Sequence, residues 1–417
     1  MSKETLNPLL SAQAKVKEAC DALGLEPAVY ELLKEPQRII EISIPVRMDD
    51  GSIKTFKGYR SAHNDAVGPF KGGIRFHQNV NSDEVKALSL WMSIKCQVTG
   101  IPYGGGKGGI TVDPSELSQR ELEQLSRGWV RGMWKYLGEK VDVPAPDVNT
   151  NGQIMAWMQD EYNKLTGEQT IGVFTGKPLT YGGSQGRNEA TGFGVAVTMR
   201  EIFKALGKDL KGAKVAVQGF GNVGFYTAYY AHKDGAKIVA FSNSHVAIYN
   251  ENGIDMEAVI KDFEANGRIT ENKGYGKDIT NAELLELEVD VLAPCALENQ
   301  ITSENADRVK AKVVAEGANG PTTPEADEIL FKKGIVVVPD ILANSGGVVV
   351  SYFEWVQNLQ SYYWPFDEVQ QKEAALLSGA FEDVWALADE YKVDLRNAAY
   401  MKSIERISKA MKLRGWY

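Results

Sequence analysis

The sequence predicts an α/β protein with two domains, the second of which holds a doubly wound parallel sheet. The chain has 417 residues, and at roughly 150 residues per domain this leaves room for two or three compact units. From about residue 186 onward, short apolar segments alternate with helical patterns, which is typical of parallel strands covered on both faces. These segments are AKVAVQ, AKIVAF, VDVLAP, AKVVAE and GIVVVP.

Domain boundaries follow from a change in composition. The stretch 166–186 is rich in Gly, Thr and Ser and shows neither helical nor strand periodicity, so we expect it to join two domains. The first domain is predicted over residues 1–185 and the second over residues 186–350. The remaining residues, 351–417, are mostly amphipathic and helical, and we expect them to join the first domain.

Two helices can be predicted inside the first domain. One begins behind a capping Asn or Ser, Asn81 or Ser82, and its apolar face includes Lys95 among hydrophobic residues. The other begins at Ser118, which forms a capping-box pattern with Glu121. Both helices are therefore expected to pack in the core of the first domain.

The charge and cysteine content exclude several classes of function. The formal net charge is −9, with 46 basic and 55 acidic residues, which disfavours nucleic acid and anionic membrane as partners. The cysteines Cys20, Cys96 and Cys295 form no CxxC pair, so we expect neither disulfides nor a metal site. No apolar run approaches 18 residues, and the first residues lack a signal-peptide core. We therefore expect a cytoplasmic protein.

A glycine fingerprint follows the segment AKVAVQ. Gly219, Gly221 and Gly224 stand in a GxGxxG pattern around Phe220, Asn222 and Val223, and a helical pattern follows. Such glycines let a pyrophosphate approach a helix N-terminus, although a plain strand-to-helix turn is the alternative. Because strand and helix stand in the required places, residues 186–350 are predicted to form a Rossmann-like dinucleotide-binding domain.

The position that often recognises the adenosine ribose holds an amide in this chain. An acid is expected about 20 residues after the fingerprint, at the end of the second strand. Asn243 stands there, and an amide can bond a ribose hydroxyl without repelling a 2′-phosphate. The choice between NAD and NADP is therefore left open at this point.

A second glycine-rich segment, PYGGGKGG, surrounds Lys107. It does not fit the phosphate-binding pattern GxxxxGK[ST]. Such glycine density indicates a loop in which the backbone comes close to a substrate and the lysine lies in a cleft, although a mobile surface loop is the alternative. Together with Lys71 in GPFKGGIRF and Lys95, it forms a set of three lysines in apolar or glycine-rich surroundings. Converging lysines suit a dianionic substrate, whereas separate lysines at the edge of a core would carry no function.

Several motifs in the same order resemble the glutamate dehydrogenases of the Glu/Leu/Phe/Val amino-acid dehydrogenase superfamily, along essentially the whole chain. They are GPFKGGIRF, PYGGGKGG, DVPAPDVNT, GRNEATGFG, GFGNVG, AEGANGPTTPEAD and LANSGGVVVSYFEWVQN, together with Lys95. The resemblance implies reversible oxidative deamination of L-glutamate to 2-oxoglutarate and ammonia. It also implies an α/β substrate-binding and oligomerisation domain, a dinucleotide-binding domain with a cleft between the two, and a homohexamer.

The same resemblance assigns roles to residues of the substrate domain. Lys107 would be the catalytic lysine and Asp147 its partner, which moves a proton to and from the amino nitrogen. Lys95 would hold the α-carboxylate of the substrate. Lys71 and Ser351 would hold the side-chain carboxylate, with Gly72 also among the substrate-binding residues.

On the cofactor side, the resemblance places Thr191 and Asn319 near the nicotinamide half of the cofactor. Asn344 would lie between cofactor and substrate, and Arg187 near the nicotinamide in a role left open. We expect NAD as the cofactor, with NADP possible, because no basic cluster follows Asn243. Two rivals remain. A leucine-, phenylalanine- or valine-type dehydrogenase would have an apolar residue at Lys71, and a catalytically silent nucleotide-binding regulator would not need the lysines.

Overall fold

A computed structural model describes residues 7–417, and the chain divides into two compact units. The first unit runs through Arg187 and also includes Val348–Val369 and Tyr400–Tyr417. The second unit consists of Asn188–Gly347 and Gln370–Ala399.

The expectation that residues 351–417 all join the first domain is wrong for residues 370–399. This part packs within the second unit, where the Gln370 side chain donates a hydrogen bond to the Tyr230 hydroxyl at 2.6 Å. Leu377 packs against Gly194 of the same unit, at a distance that leaves little room for a side chain on that glycine. An amphipathic helix pattern shows that one face is buried, but it does not show which core buries that face.

The first unit contains a five-stranded mixed sheet with helices packed against it. Its elements are, in chain order, α1 (Pro8–Ala22), α2 (Pro27–Leu33), β1 (Arg38–Arg47), β2 (Ile53–Ala62), β3 (Phe70–Phe76), α3 (Ser82–Val98), β4 (Gly104–Thr111), α4 (Gln119–Met133), β5 (Asp142–Pro146) and α5 (Gly152–Thr166). The strand order is β1-β2-β4-β3-β5. Strands β3, β4 and β5 run parallel to one another, whereas β1 and β2 are antiparallel to their neighbours.

The two helices predicted in the first domain are confirmed, with their caps. The Asn81 side chain accepts a hydrogen bond from the backbone N–H of Glu84 at the start of α3. At the start of α4, Ser118 and Glu121 form both hydrogen bonds of a capping box. The buried face of α4 includes Trp129, which is fully buried against the sheet.

The glycine-rich segment around Lys107 is a strand and not the predicted loop. It forms β4, between β2 and β3 in the sheet. A Cβ on Gly72 of β3 would lie 1.6 Å from the Gly106 carbonyl oxygen, and one on Gly105 would lie 2.1 Å from the Ser89 carbonyl oxygen of α3. Glycine is depleted in strands generally, so the composition pointed to a loop. Here the glycines are required because β3, β4 and α3 approach closely.

The second unit contains a seven-stranded sheet of the doubly wound type. Its elements are α6 (Ala190–Ala205), β6 (Lys214–Gln218), α7 (Asn222–Lys233), β7 (Lys237–Ser242), β8 (Ala247–Tyr249), α8 (Met256–Asn266), β9 (Lys277–Asp278), α9 (Asn281–Leu285), β10 (Val291–Pro294), β11 (Val313–Ala315), α10 (Pro324–Lys332), β12 (Val336–Val338) and α11 (Asp340–Ala343). The strand order is β12-β11-β10-β6-β7-β8-β9. The five strands predicted from sequence are confirmed, and they form the parallel part of this sheet.

The order of the strands reverses beside β6. The chain first builds outward through β7 and then returns to place β10 on the other side of β6. In open α/β sheets, ligands bind outside the carboxyl ends of the strands at such a switch point. The glycine fingerprint begins immediately after β6, so it lies at this position.

The C-terminal part of the chain is helical, as predicted. It forms α12 (Gly346–Gln360), α13 (Phe366–Tyr391) and α14 (Leu395–Leu413). Among residues 7–417, no helix is both long enough and apolar enough to cross a membrane.

Candidate active site

Lys71 of β3 is buried within the first unit. Its side chain is 1% exposed, and its Nζ lies 2.5 Å from the Thr175 hydroxyl. It also donates to the carbonyl oxygens of Val143 at 3.2 Å and Pro144 at 3.4 Å. The Thr175 hydroxyl lies 2.6 Å from the Ser351 hydroxyl of α12. Lys71 and Ser351, which the family resemblance paired, are therefore joined through Thr175.

Burial lowers the pKa of Lys71 to about 7. The carboxylate of Glu354 opposes this shift, whereas the guanidinium groups of Arg60 and Arg187 add to it. All hydrogen-bond acceptors around the Lys71 amine are neutral oxygens, and no carboxylate of the described residues pairs with it. A pocket of this kind favours an anionic ligand that completes the charge balance.

Thr175 was not found by sequence reasoning, and its position depends on a second buried lysine. Glu354, one turn after Ser351 on α12, accepts hydrogen bonds from the backbone N–H groups of Gly176 at 2.7 Å and Lys177 at 3.3 Å. The Lys177 amine pairs with the same carboxylate at 3.0 Å, and both side chains are fully buried. These contacts fix the segment that carries Thr175. Its only sequence signal was a threonine within the stretch that we read as a domain junction.

Lys107 and Asp147 form an ion pair, with 2.6 Å between Nζ and Oδ2. Lys107 lies on β4 and is 6% exposed, and Asp147 directly follows β5. A Cβ on Gly73 would lie 2.6 Å from the Cβ of Asp147, so this glycine makes room for the acid. The two residues predicted to carry out proton transfer are thus in direct contact.

Arg75 holds the Asp147 carboxylate from a second side. Its Nε donates to Asp147 Oδ2 at 3.1 Å, while its Nη1 donates to Glu84 at 2.6 Å. Burial raises the pKa of Asp147, but the charges of Lys107 and Arg75 outweigh burial and hold that pKa below its ordinary value. Asp147 is therefore a carboxylate at neutral pH. Arg75 stood in the quoted motif GPFKGGIRF, but sequence reasoning gave it no role.

Lys95 lies in the last turn of α3 and is half-buried. One turn earlier on the same helix, Met92 would lie 3.3 Å from a Cβ placed on Gly72 of β3. The three lysines therefore stand on β3, β4 and α3, which pack against one another. Their convergence on one ligand stays a prediction. Gly72 is explained by the close approach of β4, and its carbonyl oxygen accepts a hydrogen bond from Arg60 at 3.0 Å.

The glycine fingerprint of the second unit fits a dinucleotide pyrophosphate. Gly219 has a φ of +89°, and a Cβ there would lie 2.5 Å from the Ala296 backbone nitrogen. A Cβ on Gly224 would lie 1.9 Å from the Gly219 carbonyl oxygen, so both positions require glycine. At Gly221, by contrast, a Cβ would meet no described atom within 4 Å. Within the part of the chain that the structure describes, no side chain caps α7, which leaves its first N–H groups for an anion.

Other fingerprint residues pack against neighbouring segments. Asn222 donates to the Asn188 carbonyl oxygen at 2.8 Å. Val223 lies 3.3 Å from a Cβ placed on Gly317, and its carbonyl oxygen lies 2.7 Å from one placed on Gly192 of α6. Gly192 follows Thr191, which is half-buried near the start of α6.

Asn243 organises its own loop. Its side-chain oxygen accepts hydrogen bonds from the backbone N–H groups of His245 at 2.8 Å and Val246 at 3.0 Å. Its amide donates to the Ile269 carbonyl oxygen at 2.8 Å. Contact with an adenosine ribose stays a prediction, and the amide oxygen is already used by two donors.

Asn319 and Asn344 meet in the second unit. The Asn344 amide donates to the Asn319 side-chain oxygen at 3.0 Å and to the Ala318 carbonyl oxygen at 3.1 Å. The two asparagines assigned to the nicotinamide end by resemblance therefore form one hydrogen-bonded group. Arg187 is the last residue of the first unit, and its charge acts on Lys71. Its position near the nicotinamide stays a prediction.

Burial of Lys71 predicts a pH-dependent effect of its removal on stability. Below about pH 7 both the folded and the unfolded chain hold this proton, so the folded state bears the full cost of burying a charge. Between about pH 7 and 10.5 the folded state loses the proton first, and this cost falls. In urea unfolding, the stability of Lys71→Met relative to the native chain should therefore decline from about pH 6 to about pH 9.5. The control is Lys54→Met, because Lys54 is 53% exposed. A constant difference for Lys71→Met across this range would contradict a buried, destabilised ammonium.

Comparison with known proteins assigns the chain to a family. A family model for the Glu/Leu/Phe/Val dehydrogenase dimerisation domain matches residues 36–164, and one for glutamate/leucine/phenylalanine/valine dehydrogenase matches residues 182–415. The NAD-specific glutamate dehydrogenase of Clostridioides difficile is 63% identical, with all of both chains covered. The crystal structure of glutamate dehydrogenase from Peptoniphilus asaccharolyticus has a TM-score of 0.90 and 59% identity, covering 99% of this chain and 100% of that one. The hetero-hexameric glutamate dehydrogenase of Thermus thermophilus has a TM-score of 0.92 and 36% identity, covering 100% and 99%. The chain therefore belongs to the Glu/Leu/Phe/Val dehydrogenase family.

Proposed function

We propose that this chain catalyses the reversible oxidative deamination of L-glutamate, with NAD as the hydride acceptor. Glutamate, NAD⁺ and water give 2-oxoglutarate, ammonium, NADH and a proton. The observation that carries the choice of substrate is the buried amine of Lys71, which has Thr175 and Ser351 beside it and only neutral acceptors around it. The names of the most similar relatives support both the reaction and the cofactor.

Substrate choice within the family follows from charge. The side-chain carboxylate of glutamate would accept hydrogen bonds from the amine of Lys71 and from the hydroxyl groups of Thr175 and Ser351. It would thereby give the amine a negatively charged partner in place of neutral acceptors. A leucine or phenylalanine side chain would bring no counter-charge and would leave the buried amine unpaired, as it is without a ligand. The leucine-, phenylalanine- and valine-type alternatives are therefore disfavoured. Lys95 is assigned to the α-carboxylate by resemblance.

The chemical step uses the ion pair of Lys107 and Asp147. NAD, when bound, accepts the hydride that leaves Cα. Lys107 would first pass its proton to Asp147, and the neutral amine would then take a proton from the water that attacks the resulting iminium carbon. Asp147 would pass the proton that it received to the departing amino nitrogen. At 2.6 Å, a proton can move directly between the two groups. A silent nucleotide-binding regulator would have no need for this pair, so its geometry also argues against that rival.

Residues of the second unit would hold the cofactor. Gly219, Gly221 and Gly224 would admit the pyrophosphate to the N-terminus of α7. Asn319 and Asn344 would bind toward the nicotinamide end, with Thr191 nearby. A role of Asn243 at the adenosine ribose remains part of the proposal.

We further propose a homohexamer. A model of a dimerisation domain matches residues 36–164, and the similar enzyme from Thermus thermophilus is hetero-hexameric. Light scattering on the purified chain should give the mass of six copies. A monomer or dimer at micromolar concentration would contradict this assembly.

Removal of either member of the catalytic pair should abolish most turnover without removing the cofactor. We expect Lys107→Ala and Asp147→Asn each to lower kcat by about 10²-fold or more, as for other general acid–base groups. The assay follows NADH absorbance with glutamate and NAD, and NADH fluorescence measures cofactor binding. The matched controls are Lys164→Ala and Asp160→Asn, whose exposed ion pair has the same 2.6 Å separation. Near-native turnover in either catalytic variant would refute these roles.

The cofactor assignment has its own test. With glutamate as substrate, a higher kcat/KM of the native chain with NADP than with NAD would refute the assignment of NAD.

Replacement of the buried amine should change substrate preference. The double variant Lys71→Leu, Ser351→Val lacks the amine and one hydroxyl of the proposed site. Glutamate should therefore bind more weakly, and the kcat/KM for apolar amino acids should rise. The measurement is kcat/KM over a panel that includes glutamate, leucine, valine and phenylalanine. An unchanged order of preference would show that these residues do not contact the substrate side chain.

A further inference from the structure

A mostly buried arginine in the second unit is surrounded by three carboxylates. Arg396, at the start of α14, donates to Glu316 at 2.8 Å and to Asp340 at 2.9 Å, and it also pairs with Asp327. The Glu316 side chain is fully buried, and those of Arg396, Asp327 and Asp340 are no more than 19% exposed. One guanidinium group thus binds residues that are up to 80 positions away in the sequence.

Two of these carboxylates also hold the backbone of the segment that carries Asn319. Glu316 accepts a hydrogen bond from the Asp340 backbone N–H at 2.7 Å through its second oxygen. Asp340 accepts one from the Gly320 backbone N–H at 2.9 Å. Both ends of the segment 316–320 are therefore hydrogen-bonded to Asp340, which Arg396 also binds.

Asp340 also sets the position of Asn344. Asp340 is the first residue of α11, and Asn344 ends that helix, with its backbone N–H bonded to the Asp340 carbonyl oxygen at 3.1 Å. The Asn344 side chain then bonds to Ala318 and Asn319 within the segment. Displacement of Asp340 would therefore disturb both asparagines together.

A purely stabilising role does not explain this arrangement. Buried ion pairs often contribute little compared with well-packed apolar residues, and here one cation meets three anions. Burial raises the pKa of Glu316 to about 7, against the opposing charge of Arg396. What the cluster does provide is a fixed direction for each carboxylate, because a guanidinium group donates in a rigid planar fork.

We propose that Arg396 is a positioning residue for the nicotinamide end of the cofactor site, acting through Glu316 and Asp340 on Asn319 and Asn344. This inference rests on the proposed function, which assigns those asparagines to NAD. It implies that Arg396 governs cofactor affinity and leaves the Lys71 pocket of the first unit unchanged.

The test compares Arg396→Gln with Arg396→Lys, using NADH fluorescence titration for affinity and steady-state kinetics for KM. Arg396→Gln should weaken NADH binding and raise the KM for NAD by about tenfold, the scale expected when hydrogen bonds to charged groups are lost. The KM for glutamate at saturating NAD should change less than the KM for NAD, because the lost contacts reach the substrate only through Asn344 and do not reach Lys71. Arg396→Lys keeps the positive charge but loses the planar set of guanidinium donors. Its NADH affinity should therefore lie between that of the native chain and that of Arg396→Gln.

The matched control is Arg308→Gln. Arg308 is also in the second unit and donates to Glu286 at 2.6 Å, but it is 58% exposed and does not contact the segment 316–320. Native cofactor affinity in Arg396→Gln would overturn the inference, as would equal changes in both KM values. If Arg396→Gln does not fold, native NADH affinity in Arg396→Lys would overturn it. Absence of glutamate turnover in the unaltered chain would instead refute the proposed function.

Discussion

The structure depends on the burial of one lysine amine among neutral oxygens. Lys71 is 1% exposed, and in the described chain its amine meets carbonyl and hydroxyl groups but no carboxylate. A protein interior tolerates such a group only at a cost, and burial lowers its pKa to about 7. A ligand that brings its own carboxylate would relieve this cost. The proposed site would therefore favour a diacid, because it holds a buried amine that no carboxylate pairs with.

Close backbone packing makes this burial possible. Strands β3 and β4 approach so closely that a Cβ on Gly72 would overlap the Gly106 carbonyl oxygen, and α3 approaches Gly105 in the same way. Lys71 and Lys107 can stand on neighbouring buried strands because the residues around them occupy almost no volume. The glycines of the dinucleotide fingerprint serve two needs. Gly219 and Gly224 are required by the fold, whereas Gly221 leaves open space for a ligand.

In both units, guanidinium groups fix carboxylates at or beside residues that are assigned to function. Arg75 binds Asp147 in the first unit, and Arg396 binds Glu316 and Asp340 in the second. A carboxylate on a single bond can rotate, so a rigid partner is needed to hold its oxygens in one direction. Each arginine would thereby determine where a functional group points.

The local pattern of the sequence was sufficient for the helices with their caps, the five parallel strands and the glycine fingerprint. These depend on interactions between residues that are near one another in the chain, such as the bonds of Asn81 and Ser118 at helix starts. The lysines and Asp147 were found from their motifs, and the resemblance supplied their roles. Only the tertiary structure decided that the segment around Lys107 is a strand and that residues 370–399 pack in the second unit. It also decided that Thr175 and Arg75 stand beside assigned groups, and that Arg396 binds the carboxylates that hold Asn319 and Asn344. Each of these depends on contacts between distant segments, and such contacts leave no periodic signal in the sequence.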